Sequence, residues 1–520
     1  MKIIKNLRVP GLVPIGDGSG GRESICGLMP AGEKPEIPDT VESSGTQSTE
    51  KEKSTKRTSC SGIGTVLFVL LVCSFVETAK GGADQNVYLT GGTQPVETAN
   101  DGANQNGTGA SAYTLDGADD YGYDPVIHWN QVFIDTILAT STPNSVSQRL
   151  AAIVHVAMFD SYNGIARRWT PIFMEHDGPK NGSRRAATAY AAYRTLSALF
   201  PTRQAQLDAE LAIAMGHIGN GGSVDRGLEW GNEVALAVLA WRSVDGFAVS
   251  IPSFMGGTVV GQWRPTPPAF GAMSSQTIAF TMPFAVFSPY QFRPAPPRGL
   301  TTATYTDDFN AVKSLGRKTD STRTPDQTEL AAFWEFNATI HWNDAANQIA
   351  RANGTWLSQN VRLFALLNLA HADSAITTWS SKRYYGAQST AVTWRPVHAI
   401  PLADTDGNPD TIADPAWLPL INTPSHPEYG AGHPSLNGSA AAVLAANFDD
   451  AQTFTLFATG LPDRTYTSIS AAESDGNNAR VWGGMHYPST VAISSAYARN
   501  IANWINENRM QLRVGDSDHD

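Results

Sequence analysis

The chain has 520 residues, of which 42% are apolar and 16% charged, and a formal net charge of −11. It is long and apolar enough for a large buried core, and too acidic, with no offsetting basic run, for a nucleic-acid partner. Any anion it binds must be held by a local cluster of cations.

The first 60 residues are rich in Gly, Pro, Ser, Glu and Lys without hydrophobic periodicity, and are expected to be disordered. Basic residues then precede an apolar run from Ile63 to Val76, whose 14 residues fall short of the about 20 that span a bilayer. Residues 1–79 therefore read as a disordered n-region plus signal peptide, cut near Ala79, and the mature chain as secreted or periplasmic. A single membrane anchor is the runner-up. Cys26, Cys60 and Cys73 all precede that cut, so the mature protein would hold neither thiol nor disulfide. Residues 80–119 form a polar, Gly- and Asn-rich flexible linker, residues 120–512 a helical domain, and residues 513–520 a tail.

Within the helical domain, VIHWNQVFIDTILAT and SQRLAAIVHVAMFDSYNGI carry apolar residues at three- and four-residue spacing. The second is expected to stop at Asn163–Gly164. SRRAATAYAAYRTLSALF, RQAQLDAELAIAMGHIG and RGLEWGNEVALAVLAWRSV continue the pattern, and their small residues allow close axial approach. The predicted fold class is all-α, a multi-helix bundle. From about Gly246 to Gly299 the chain turns irregular and Pro-rich, which predicts a functional loop or a wrap over the bundle. Trp263-Arg264-Pro265 in this stretch repeats Trp394-Arg395-Pro396, but only the later copy follows a helix bearing a second cation and precedes a Gly-His loop. Helices resume after the Pro-rich stretch, and the last is expected from Ser489 to about Leu512.

Three separated stretches carry the chemistry. The first, Ala372–Ile400, offers Lys382, Arg383 and Arg395. The second, SHPEYGAGHPSLNGSAAAVLAAN from Ser425 to Asn447, holds His426 and His433 in a loop that runs into an Ala-rich helix. Gly432 sits at the join, Pro434 suits the first helical position, and the unpaired amides of a first helical turn can hold an oxyanion. The third, ARVWGGMHYPST from Ala479 to Thr490, brings Arg480 and His486. A buried tetrahedral oxyanion needs such neighbours: at an effective dielectric near 20, a cation ~4 Å away returns about 4 kcal/mol of gross attraction. Lys382, Arg395 and Arg480 are the expected complement, the arginines gripping two oxygens together and the lysine polarising one.

The order of these segments resembles the superfamily that joins vanadium-dependent haloperoxidases with type 2 phosphatidic acid phosphatases and bacterial acid phosphatases. Its pattern reads Lys-x6-Arg-Pro, Pro-Ser-Gly-His, Ser-Arg-x3-Gly-x-His-x3-Asp. DPVIHWNQVFIDTILAT, LAAIVHVAMFDSYNGI and ALLNLAHADSAITTW are similar to the secreted haloperoxidase branch. The resemblance implies vanadate as cofactor, held by Lys382, Arg395, Arg480 and Gly432, with His486 bonding the metal and His433 acting as acid/base. Halide, hydrogen peroxide and a small organic acceptor would be the partners, and a homo-oligomer stays open. His426, at a position that differs between chloride- and bromide-competent relatives, implies a preference for bromide or iodide.

This sequence departs from the pattern in four places. Lys382 and Arg395 are thirteen apart, so Arg383 could replace Lys382; Ala431 stands where the motif has serine; Ala479 replaces the serine before Arg480; and Thr490 stands where an aspartate is common. Two other readings therefore remain. The same constellation suits a phosphomonoesterase working through a phosphohistidine, and the altered motifs suit a non-catalytic anion-binding helical protein.

Overall fold

The computed structural model describes residues 123–513. The segments expected to hold the signal, the linker and the three cysteines lie outside the described residues.

The chain opens as α1 (Pro125–Ala139), where the Asp124 side chain accepts from the amides of Val126 at 2.7 Å and Ile127 at 3.2 Å. α2 (Asn144–Ala166), α3 (Arg184–Leu199), α4 (Gln204–Ile218) and α5 (Gly222–Ser243) follow as close-packed neighbours. The expected stop of α2 at Asn163–Gly164 is wrong: the helix runs on and closes at Arg167, whose φ of 56° is left-handed. Gly164 answers to packing instead. A Cβ there would lie 2.4 Å from the indole of Trp230 on α5, so the missing side chain lets that ring lie flat against α2.

Next come α6 (Ala303–Leu315), α7 (Pro325–Phe333), α8 (Ala338–Ala352), α9 (Leu357–Gly386) and the single turn α10 (Pro396–Ala399). α11 (Gly432–Asn447), α12 (Ile469–Trp482) and α13 (Pro488–Asn508) complete the bundle, α13 ending at Asn508 rather than near Leu512. Between α11 and α12 a short antiparallel pair, β1 (Phe454–Leu456) and β2 (Arg464–Tyr466), sets Thr455 opposite Thr465. Apart from this hairpin the described residues are helical or irregular, as the sequence predicts.

The 30 residues of α9, about 45 Å of helix, form the axis of the helical bundle. Its sides are buried nearly all round, which is why its sequence is apolar and small-residue-rich with little one-sided pattern, and it packs on α2, α11 and α13. α11 lies close to α13 because Gly438 faces the Ser495 carbonyl, where an added Cβ would come to 2.6 Å. A second, smaller core of Tyr305, Phe309, Trp394, Trp417 and Tyr487 packs beneath the loop that carries Arg395.

The Pro-rich stretch does wrap the bundle, with one 3-10 turn at Gln276–Phe280. Asp373 on α9 anchors it by accepting the amides of Phe284, Ala285 and Val286 at 2.7, 2.8 and 2.8 Å. No helix among the described residues is long and apolar enough to cross a membrane.

Candidate active site

Ala431 is the N-cap of α11 and Gly432 its first residue, so Pro434 stands third in the helix rather than first. It still falls in the first turn, where no amide is needed. The loop before it is held from several sides: the Glu428 amide bonds the Thr393 carbonyl at 2.8 Å, and the Ala431 amide bonds Ser494 Oγ at 2.8 Å. It is this loop that gathers Lys382 and Arg395.

Lys382, fully buried near the end of α9, donates to the carbonyls of Pro427 at 2.5 Å and Glu428 at 3.2 Å. Arg383, the alternative, points elsewhere, with its guanidinium 4.2 Å from the centre of the Phe254 ring. Arg395, also fully buried, donates from Nε to the His426 carbonyl at 2.9 Å and from Nη1 to the Met485 carbonyl at 2.7 Å. The half-buried Arg264 of the earlier copy donates instead to the Thr258 carbonyl at 3.3 Å. Arg480, in the last turn of α12, donates to the Trp334 carbonyl at 2.8 Å. Backbone carbonyls thus aim all three cations.

His486 lies between α12 and α13, joined to the cluster on both sides of its ring. Nδ1 is 2.9 Å from Glu428 Oε1, and Nε2 is 3.0 Å from Arg395 Nη1. A carboxylate can only accept and a guanidinium only donate. The proton therefore sits on Nδ1 and the lone pair on Nε2. His426 Nδ1 accepts from Arg395 Nη2 at 2.7 Å, and its ring leans on Trp379 with centroids 5.5 Å apart. Trp379 also touches the helix start, since a Cβ on Gly432 would be 3.5 Å from its ring. His433 Nε2 lies 3.3 Å from both the Phe336 carbonyl and Asn144 Nδ2.

Burial, then neighbouring cations, hold all three histidines well below the ordinary imidazole range: Lys382 and Arg395 act on His426, Arg480 on His433, and Arg395, Lys382 and Arg480 on His486. They are neutral at pH 7. Burial also lowers Lys382 well below the usual ammonium range, Arg395 to about 9 and Arg480 to about 10. Glu428 is raised to about 7 by burial, against the pull of Arg395 and Lys382.

The electrostatics give a test of fit for the implied cofactor. Lys382 and Arg395 share the buried carboxylate of Glu428, and the charge opposing Arg480 is the exposed Glu335, an excess of buried positive charge that is costly in a low-dielectric interior without an anion. Hydrogen-bond donors of fixed direction, a helix start and a neutral imidazole whose unprotonated Nε2 meets the Arg395 guanidinium suit vanadate, so the residues fit the group.

The five side chains expected from the sequence, Lys382, Arg395, Arg480, His433 and His486, are brought together, and His426 joins them. His398, three residues after Arg395, makes no side-chain bond to the cluster; burial lowers it to about 4. Sequence reasoning missed Glu428, although it lies in the quoted loop two residues after His426. A carboxylate in an otherwise apolar loop beside a cation cluster was the available signal. Asn144, from the start of α2, and the carbonyls of residues 426–428 have no sequence signature.

A family model described as "VCPO second helical-bundle domain" matches residues 362–515. No curated protein sequence matches the chain. Among solved structures, a bacterial vanadium-dependent iodoperoxidase aligns with a TM-score of 0.63 at 21% identity, over 76% of this chain and 97% of that one. A bacterial vanadium-dependent chloroperoxidase in its apo form gives 0.56 at 18% identity, over 70% and 92%. A holo form of a bacterial vanadium-dependent chloroperoxidase gives 0.55 at 16% identity, over 74% and 93%. The chain therefore carries the VCPO second helical-bundle domain at residues 362–515 and has the fold of the vanadium-dependent haloperoxidases, the family to which its motifs point.

Proposed function

We propose that the protein is a vanadate-dependent haloperoxidase that oxidises halide, bromide or iodide in preference to chloride, with hydrogen peroxide. The observation that carries this reading is the meeting of three buried cations with the neutral imidazoles of His433 and His486, Lys382, Arg395 and His486 being gathered on the buried carboxylate of Glu428. Lys382, Arg395 and Arg480 would hold the oxyanion, with the Gly432 amide at the helix start as a further donor. The Nε2 lone pair of His486 is the one available to a metal. Bound vanadate would supply Lewis acidity that makes peroxide electrophilic toward halide.

The protein's own part in the chemistry is proton handling and exclusion of water. His433 Nε2 faces an acceptor, the Phe336 carbonyl, and a donor, Asn144 Nδ2, and in either tautomer the neutral ring keeps one nitrogen unprotonated to act as a base. Neutral at pH 7, His433 can take a proton from incoming hydrogen peroxide and return it as water leaves. In balance, halide, hydrogen peroxide and one proton give hypohalous acid and water. His426, hydrogen-bonded to Arg395 in the cluster, is the residue that supports the halide preference. Export of the mature chain is part of the same reading.

The same lone pair on His486 also suits attack on phosphorus, the phosphatase alternative. One experiment separates them: the mature chain is given orthovanadate and assayed for peroxide-dependent bromination, and without vanadate for phosphate-ester hydrolysis. Bromination abolished in His486→Ala is expected. Ester hydrolysis inhibited by vanadate would replace the reading with the phosphatase, and absence of both activities would leave an anion-binding protein.

A further inference from the structure

We propose that Glu428 is the positioning residue of His486, a carboxylate supplied from the His426–His433 loop where the resembled motif has one four residues after that histidine. The inference rests on the vanadate reading for its consequence, but not for its geometry. Oε1 of Glu428 is 2.9 Å from His486 Nδ1 and accepts the Tyr487 amide at 3.1 Å. Oε2 accepts the hydroxyl of Thr490, the motif's aspartate position, at 3.0 Å. Three donors from one short segment, residues 486–490, thus converge on one carboxylate from another loop. The side chain at 490 has become a hydrogen-bond partner of the group that replaces it.

The arrangement does two things for the ring. A carboxylate at Nδ1 fixes the proton there and keeps Nε2 unprotonated, the form in which it can bond a metal, and it raises the donor strength of that nitrogen. It also sets the ring plane, because the Tyr487 amide holds Oε1 in register with the backbone beside His486. Met485 does the same from the other side, its carbonyl fixing Arg395 Nη1, which in turn faces Nε2. Glu428 is fully enclosed, with 1% of its surface exposed, so no water competes for these bonds.

The test uses the full mature chain with ¹⁵N-labelled histidine and orthovanadate as the probe. In the wild type, His486 should show a protonated Nδ1 and an unprotonated Nε2 before vanadate is added. Glu428→Ala should give a mixture of tautomers and raise the vanadate Kd ten- to a hundredfold. Glu428→Gln keeps an acceptor at Oε1 and should retain the tautomer with an intermediate Kd. Glu428→Ala combined with Thr490→Asp returns a carboxylate from the motif position, and should recover at least tenfold of the lost affinity.

A folded Glu428→Ala protein with wild-type tautomer and a Kd within twofold of wild type would overturn the proposal. So would a wild-type His486 protonated on Nε2, a result that needs no variant to fold. A wild type with the expected tautomer but no vanadate binding would sink the functional reading while leaving Glu428 as the group that orients the ring.

Discussion

Ala431 shows how a single missing atom is offset. It is fully buried at the N-cap of α11, and its amide is satisfied by Ser494 Oγ at 2.8 Å, so the loop keeps its shape without the serine that the resembled motif has there. What is lost is one hydroxyl donor to a bound oxyanion, worth about 1 kcal/mol or roughly fivefold in affinity. Ala431→Ser should lower the vanadate Kd by about that factor in equilibrium dialysis; an unchanged or raised Kd would mean that the hydroxyl does not reach the anion. At this scale the residues that the fold gathers, Lys382, Arg395, Arg480, His433 and His486, were legible in residue type and order along the chain. Glu428 was not read because its partner lies 58 positions away, and nothing in the loop itself says which ring it will meet.

Among the elements, α9 links the wrap to the cation cluster. Asp373 in its middle ties down residues 284–286, and Lys382 near its end reaches the carbonyls of Pro427 and Glu428. Removing the carboxylate leaves three enclosed amides without an acceptor, a loss of about 3 kcal/mol or more. Asp373→Ala should therefore lower the urea midpoint and speed hydrogen exchange at Phe284, Ala285 and Val286. Vanadate affinity should stay within a few fold, because Lys382 is held by the loop and not by the wrap. If exchange at those three amides does not change, Asp373 is not the anchor. The helices themselves were readable from three- and four-residue apolar spacing. The end of α2 was not, because Gly164 answers to the Trp230 ring of another helix, a demand that local sequence does not reveal.

For the whole molecule, burial of titratable groups sets how it meets acid. His341, stacked on Phe333 and donating to the Phe457 carbonyl at 2.9 Å, is lowered from 6.5 to about 4 by burial. Between those values the unfolded chain binds the proton more tightly, so the stability this group contributes is present above pH 6.5 and is lost as pH falls toward 4. Its full extent is about 3 kcal/mol. Asp344 and Asp160 act in the opposite sense, since burial raises each from 3.8 to about 6 and the folded state then binds the proton more tightly. The net curve mixes both signs, but a difference isolates one group. Unfolding free energy plotted against pH from 4 to 6.5 should have a less positive slope in His341→Gln than in the wild type, and parallel curves would refute the assignment. One consequence of the loop from His426 to His433 reaches furthest. The two imidazoles of the site come from different helices' ends, yet one is carried on this short stretch and the other is steered by Glu428 on the same stretch. A common ruler, and not the settling of α11 against α13, sets the gap between them, so thermal breathing of the bundle would shift both rings in step.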